Sequence, residues 1–162
     1  MFDGKDLVKN TTLADLDLSK VKLFGQNYKI TSSILSSVKE INAEISAIVE
    51  VYSAEVLSEK TALPIINRYK TPLTLGKDRL AAVVGASVLY PGKDILVFDA
   101  GTCLTIDFIN SNKVYIGGRI SLGIEMRYNA LHTFTDKLPL VQKEKINPII
   151  GDDTNSSITS GV

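Results

Sequence analysis

Cysteine, histidine and tryptophan are nearly absent from these 162 residues: there is one Cys (Cys103), one His (His132) and no Trp. A single cysteine excludes an intrachain disulfide, and one Cys with one His is too few for a Cys/His zinc site. Net charge is absent as well, because 18 Lys and Arg balance 18 Asp and Glu. That leaves no electrostatic footprint for nucleic acid and no polybasic membrane patch. No apolar run approaches the ~20 residues that span a bilayer. The opening MFDGKDLVKN lacks the charge, apolar core and small residues of a signal peptide. What is present suits a folded chain. Hydrophobic residues make up 44%, too many for disorder. The length fits one ordinary domain or two very small ones. The expectation is a soluble, cytoplasmic α/β protein.

Patterning along the chain predicts the elements. Residues 1–9 read as a strand end, an Asp-Gly turn and a short return strand. YKITSSILSSV (28–38) is β-rich. KEINAEISAIVEVYS (39–53) is helical, with Ile41, Ile45, Ile48, Val49 and Tyr52 on one face. EVLSE and LPIINRY read as short strands. Residues 69–91 form a loop and then a helix whose expected buried face is Leu80, Val84 and Val88. Its small residues Ala81, Ala82, Gly85 and Ala86 suit close packing, and Pro91-Gly92 ends it. Two strands then flank Asp99-Ala100-Gly101-Thr102, and KVYIGGRISLGI (113–124) is a strand breaking into glycines. A helix follows over 123–137 with Ile124, Tyr128, Leu131 and Phe134 or Thr135 on one side. Finally, Asp152 or Asp153 can cap a last helix.

Four stretches could carry chemistry. DILVFDAGTCLTIDFIN (94–110) holds a carboxylate, a glycine and a hydroxyl between two apolar runs. It reads either as a plain hairpin turn or as a phosphate site. In the second reading the backbone N–H groups of Gly101, Thr102 and Cys103 face the phosphate, and a cation separates it from Asp99. In LGKDRL (75–80), Asp78 is either a charge or cap at a helix start or a general base. Arg79 beside it has the planar fork that clamps a carboxylate. In YIGGRISLGIEM (115–126), Gly117, Gly118 and Gly123 make either a flexible turn or a place where a ligand or subunit approaches closely. His132 nearby reads as a helix-surface or interface residue. GDDTNSSITSG (151–161) reads as a polar helix start with the Thr154 hydroxyl at its head.

Taken together and in this order, these stretches resemble the type III pantothenate kinases, members of the acetate kinase/Hsp70/actin-like ATPase superfamily. The Gly-x-Asp-Arg motif is Gly76-Lys77-Asp78-Arg79, and Asp-x-Gly-Thr-Ala-x-Thr appears as Asp99-Ala100-Gly101-Thr102-Cys103-Leu104-Thr105. The glycine-rich strand and helix and the Gly-x-x-Thr helix start complete the set. Lys77 and Cys103 stand where the family commonly has alanine. The family's opening Asp-x-Gly-Asn-Thr phosphate turn does not occur in the sequence. The chain therefore reads as the middle of such a kinase, and the 162 residues alone are expected not to phosphorylate pantothenate.

The resemblance implies an α/β fold of duplicated ribonuclease H-like domains with mixed sheets flanked by helices, divided into residues 1–92 and 93–162. It implies Asp78 as catalytic base and Tyr69, Gly76, Lys77, Asp78, Arg79 and Thr154 as pantothenate contacts. It implies Gly101 and Thr102 as ATP contacts and Asp99 as ligand of a monovalent cation. Implied cofactors are ATP, Mg2+ and K+ or NH4+. Implied partners are pantothenate and ATP within a homodimer, with no nucleic acid and no membrane. The activity would yield 4'-phosphopantothenate, the first step of coenzyme A biosynthesis. Two other readings stand beside it. One is a catalytically inactive binding or oligomerisation fragment of the same fold. The other is a transcriptional accessory role, against which the zero net charge speaks.

Overall fold

The structure is a computed structural model that describes residues 1–37, 40–143 and 149–162. It resolves into two compact units, Met1–Thr61 and Ala62–Val162.

The first unit opens with the expected hairpin. Strands β1 (Phe2–Asp3) and β2 (Asp6–Leu7) pair antiparallel, with Gly4 at a φ of 59° in the turn. Helix α1 (Leu18–Gly25) follows, and the sequence reading did not anticipate it; Asp17 caps it by accepting the Lys20 N–H. The strand expected over 28–38 contracts to β3 (Ile34–Leu35), which pairs parallel with β4 (Glu55–Val56). Between them lies helix α2 (Ala43–Tyr52), capped by the Asn42 side chain on the Ile45 N–H. Val38 and Lys39 fall outside the described residues. Ile48 is the buried side chain of α2. Ile41 precedes the helix and is exposed, so it does not belong to the apolar face expected for it.

The second unit holds a four-stranded mixed sheet in the order β5-β8-β7-β6. Its strands are β5 (Ile66–Asn67), β6 (Ile95–Ala100), β7 (Cys103–Ile109) and β8 (Val114–Leu122). β5 runs parallel to β8, and the other pairs are antiparallel. Helix α3 (Lys77–Leu89) packs on β6 and β7. Helix α4 (Ile124–Thr133) leaves the end of β8, and α5 (Thr154–Gly161) closes the chain. Asp153 caps α5 in a reciprocal box with Ser156, as the polar run at 151–157 predicts. The Asp153 carboxyl is held below its usual range, chiefly by the Ser156 backbone N–H.

The alternation of strand side chains positions the core. Ile95, Val97, Ile109 and Tyr115 meet Leu75, Leu80, Val83 and Ile65 in one cluster. The face of α3 that meets them is Arg79, Leu80, Val83 and Ser87. The expected face of Leu80, Val84 and Val88 is therefore corrected: Val88 is exposed. The cause is that the polar Arg79 and Ser87 take inward positions that an apolar-only reading of the helix passes over. The small residues of α3 do not serve a close helix contact at Gly85, where an added Cβ would meet open space. In α4, Tyr128 is buried whereas Phe134 lies beyond the helix and is exposed.

Candidate active site

The site is built at the head of α3. Gly76 is its N-cap, and Asp78 lies in the first turn, where a negative charge meets the positive end of the helix. The Asp78 carboxylate is exposed and accepts the Arg79 N–H at 2.8 Å. A Cβ at Gly76 would meet the exposed Asp78 carboxylate, which would have to swing aside. Pro72–Thr74 forms a short 3-10 turn just before, closed by Thr74 onto the Thr71 carbonyl.

Arg79 points the other way, into the core, and is 5% exposed. Its Nε donates to Asp107 Oδ2 at 3.0 Å and its Nη2 to Asp107 Oδ1 at 2.6 Å. Nη2 also reaches the Tyr115 hydroxyl at 3.3 Å, and that hydroxyl donates to Asp107 Oδ1 at 2.7 Å. Asp107 is 2% exposed and Tyr115 is fully buried. This is a buried ion pair with its spare lone pairs satisfied, the condition under which such a pair is tolerated. The Asp107 hydrogen bond raises the Arg79 pKa above its already high ordinary value. Burial, then the Asp107 hydrogen bond, push the Tyr115 phenol above its ordinary 10.0. Tyr69 stacks on Tyr115 at 6.1 Å between ring centres and lies 5.6 Å from the guanidinium carbon.

The glycine pair of β8 belongs to this cluster. Gly117, at a φ of 128°, lies against the Tyr69 ring. A Cβ at Gly118 would meet the Ile106 carbonyl and the Asp107 carboxylate. Gly118→Ala should therefore cost about 1–3 kcal/mol of stability through overcrowding, read from urea unfolding. A change within experimental error would show that the strand yields freely there.

Strand register places a second group beside the first. Asp99 pairs with Thr105, and Val97 with Asp107. Asp99, Thr105 and Asp107 therefore share one face of the sheet, in successive rows about 7 Å apart. Asp99 is exposed at the end of β6. The Gly101–Thr102 link is a tight antiparallel turn in which the Gly101 N–H donates to the Cys103 carbonyl at 2.9 Å. That amide is satisfied within the turn and does not face outward as the phosphate reading expects. The Thr102 carbonyl accepts the Gly123 N–H at 3.0 Å, tying the turn to the start of α4. Among the described residues no three His, Cys, Asp or Glu side chains gather as a metal cluster. A cation at Asp99 would have to draw its other oxygens from the backbone, hydroxyls or a nucleotide.

Of the residues expected to contact substrate, Tyr69, Gly76, Asp78 and Arg79 come together at the head of α3, with Lys77 half-buried between them. Thr154 does not join them. It is exposed in the first turn of α5 and lines a depression with Leu131, Leu138, Asp152 and Asp153. His132 is exposed, its ring against the Leu138 carbonyl. Asp107 and Tyr115 were missed in the sequence. Their one signal was an aspartate at an inward position of an otherwise apolar strand.

A mixed sheet flanked by helices places the chain among the α/β proteins. Its fold matches, over 91% of the chain and 64% of the other, a solved protein from Campylobacter jejuni described as a candidate Baf family transcriptional activator (TM-score 0.52, 21% identity). The sequence profile of type III pantothenate kinases matches residues 5–162. A type III pantothenate kinase of Christiangramia forsetii is 44% identical over 95% of this chain and 67% of its own length. One of Bacteroides fragilis is 42% identical over 100% and 68%, and one of Cytophaga hutchinsonii 52% identical over 79% and 54%. The chain thus spans about two thirds, or less, of these relatives. It belongs to the type III pantothenate kinase family.

Proposed function

We propose that the protein containing this chain transfers the γ-phosphoryl group of ATP to pantothenate, giving 4'-phosphopantothenate in the first step of coenzyme A synthesis. The observation that carries the reading is Asp78, exposed at the head of α3 in the family's Gly-x-Asp-Arg motif. Phosphoryl transfer needs positioning and charge neutralisation more than covalent chemistry. Asp78 accepts the proton of the attacking hydroxyl, and one of its oxygens is already oriented by the Arg79 N–H. Asp107 and Tyr115 take Nε and Nη2 of Arg79. Arg79, with its guanidinium 5.6 Å from the Tyr69 ring, backs the place where the pantothenate carboxylate binds beside Tyr69. Thr102 and Gly101 contact ATP, Gly101 by close approach and not through its N–H, which the Cys103 carbonyl takes; Thr154 contacts substrate, and the protein works as a cytoplasmic homodimer. The chain descends from duplicated ribonuclease H-like domains divided by ancestry at residue 92, whereas its two compact units divide between Thr61 and Ala62.

Mg2+ on ATP and a monovalent cation at Asp99 supply charge neutralisation at the phosphates. Two anions in contact need a counter-charge between them, and Asp99 is the exposed carboxylate at the hairpin end. The protein should need K+ or NH4+, and Asp99→Ala should lose that dependence with most of the activity. Coupled ADP release in K+ and in Na+ checks this, and equal rates in the two salts would refute the assignment.

A further inference from the structure

We infer that Asp107 and Tyr115 are positioning residues, acting through Arg79 to aim the Asp78 carboxylate. The inference rests on the proposed role of Asp78 and adds two residues to which the sequence reading gave no role. The path is continuous. The Tyr115 hydroxyl donates to Asp107 Oδ1 at 2.7 Å, and Asp107 holds Nε and Nη2 of Arg79 at 3.0 and 2.6 Å. The Arg79 N–H then holds Asp78 Oδ1 at 2.8 Å. Asp107 lies on β7 and Tyr115 on β8, two strands whose residues Ile109 and Tyr115 are paired. The base is thus referenced to the sheet and not only to the start of a helix. That start needs such a reference, because Gly76 makes no side-chain cap. Nothing in the first turn of α3 other than Asp78 itself supplies a carboxylate or hydroxyl. Tyr69 closes the brace from the side, with its ring near both Tyr115 and the guanidinium. Gly117 and Gly118 leave room for the Tyr69 ring and the Asp107 carboxylate.

Two variants test the brace. Tyr115→Phe keeps the ring and removes the hydroxyl; Asp107→Asn keeps the shape and removes the charge. Amide exchange is measured on the chain itself, and kinetics on the gene product that contains it. In Tyr115→Phe, exchange at Leu80, Ala81 and Ala82 should rise about tenfold, with α4 amides nearly unchanged. Turnover should fall about 10–100-fold, as a misplacement near 1 Å would cause, with the KM for pantothenate little altered. Asp107→Asn should do more of both, and if it does not fold, Tyr115→Phe decides alone. Exchange that rises everywhere or nowhere would overturn the inference. So would unchanged turnover per folded molecule, or a raised KM with normal turnover, which would place Arg79 on the substrate alone. A wild-type protein without pantothenate-dependent turnover would remove the proposed function instead, and the localised exchange would still decide the brace.

Discussion

Asp78→Asn should lower turnover by about 10²–10⁴-fold, the usual contribution of a positioned general base, while the protein stays folded. Asparagine has nearly the same shape and its amide oxygen can still accept the Arg79 N–H, now held at 2.8 Å. What is lost is the ability to take a proton. The side chain is exposed, so no buried charge is stranded and no packing is removed. Steady-state kinetics with circular dichroism as the folding control separates the two effects. Turnover within about threefold of the wild type would remove Asp78 from the chemistry.

Asp107→Ala should cost stability as well as turnover, by about 3–5 kcal/mol, because it leaves Arg79 as an uncompensated buried charge. The guanidinium is 5% exposed and draws Nε and Nη2 from solvent into bonds with this one carboxylate. The Tyr115 hydroxyl remains, but it is neutral and cannot replace the charge. Urea unfolding of the chain measures the loss. Replacing both Arg79 and Asp107 with apolar residues of similar volume should recover much of it, since such pairs often exchange for packed side chains with little penalty. A loss below about 1 kcal/mol in Asp107→Ala would mean that water reaches the guanidinium.

The parts of this site that were legible in the sequence are those written locally. Gly76-Lys77-Asp78-Arg79 announces a helix start, and the helix begins at Lys77. The hairpin around Gly101–Thr102 follows from two apolar runs with a small turn between them, and Asp153 caps α5 as its polar neighbours suggest. What stayed hidden depends on distance in the chain. Asp107 lies 28 residues from Arg79 and Tyr115 lies 36. Only the sheet register brings them to one spot. Arg79 itself reads as a substrate-facing residue until its partner is known, since an arginine is seldom buried unpaired. The same holds for Gly117 and Gly118. As sequence they suggest a turn or a subunit contact, whereas in the fold they lie within β8 against Tyr69 and Asp107. Helix α1 was passed over because only Gly25 of its eight residues is buried, too little for an apolar period to show.

The family assignment stands on the chain, and the reaction is what remains to be measured. The direct test is ADP release by the gene product that contains these residues, with ATP, Mg2+ and K+, in the presence and absence of pantothenate. The account predicts release that depends on pantothenate and saturates with it, with phosphorus NMR showing one new phosphomonoester. Release that is indifferent to pantothenate, or none in a folded protein, would contradict it.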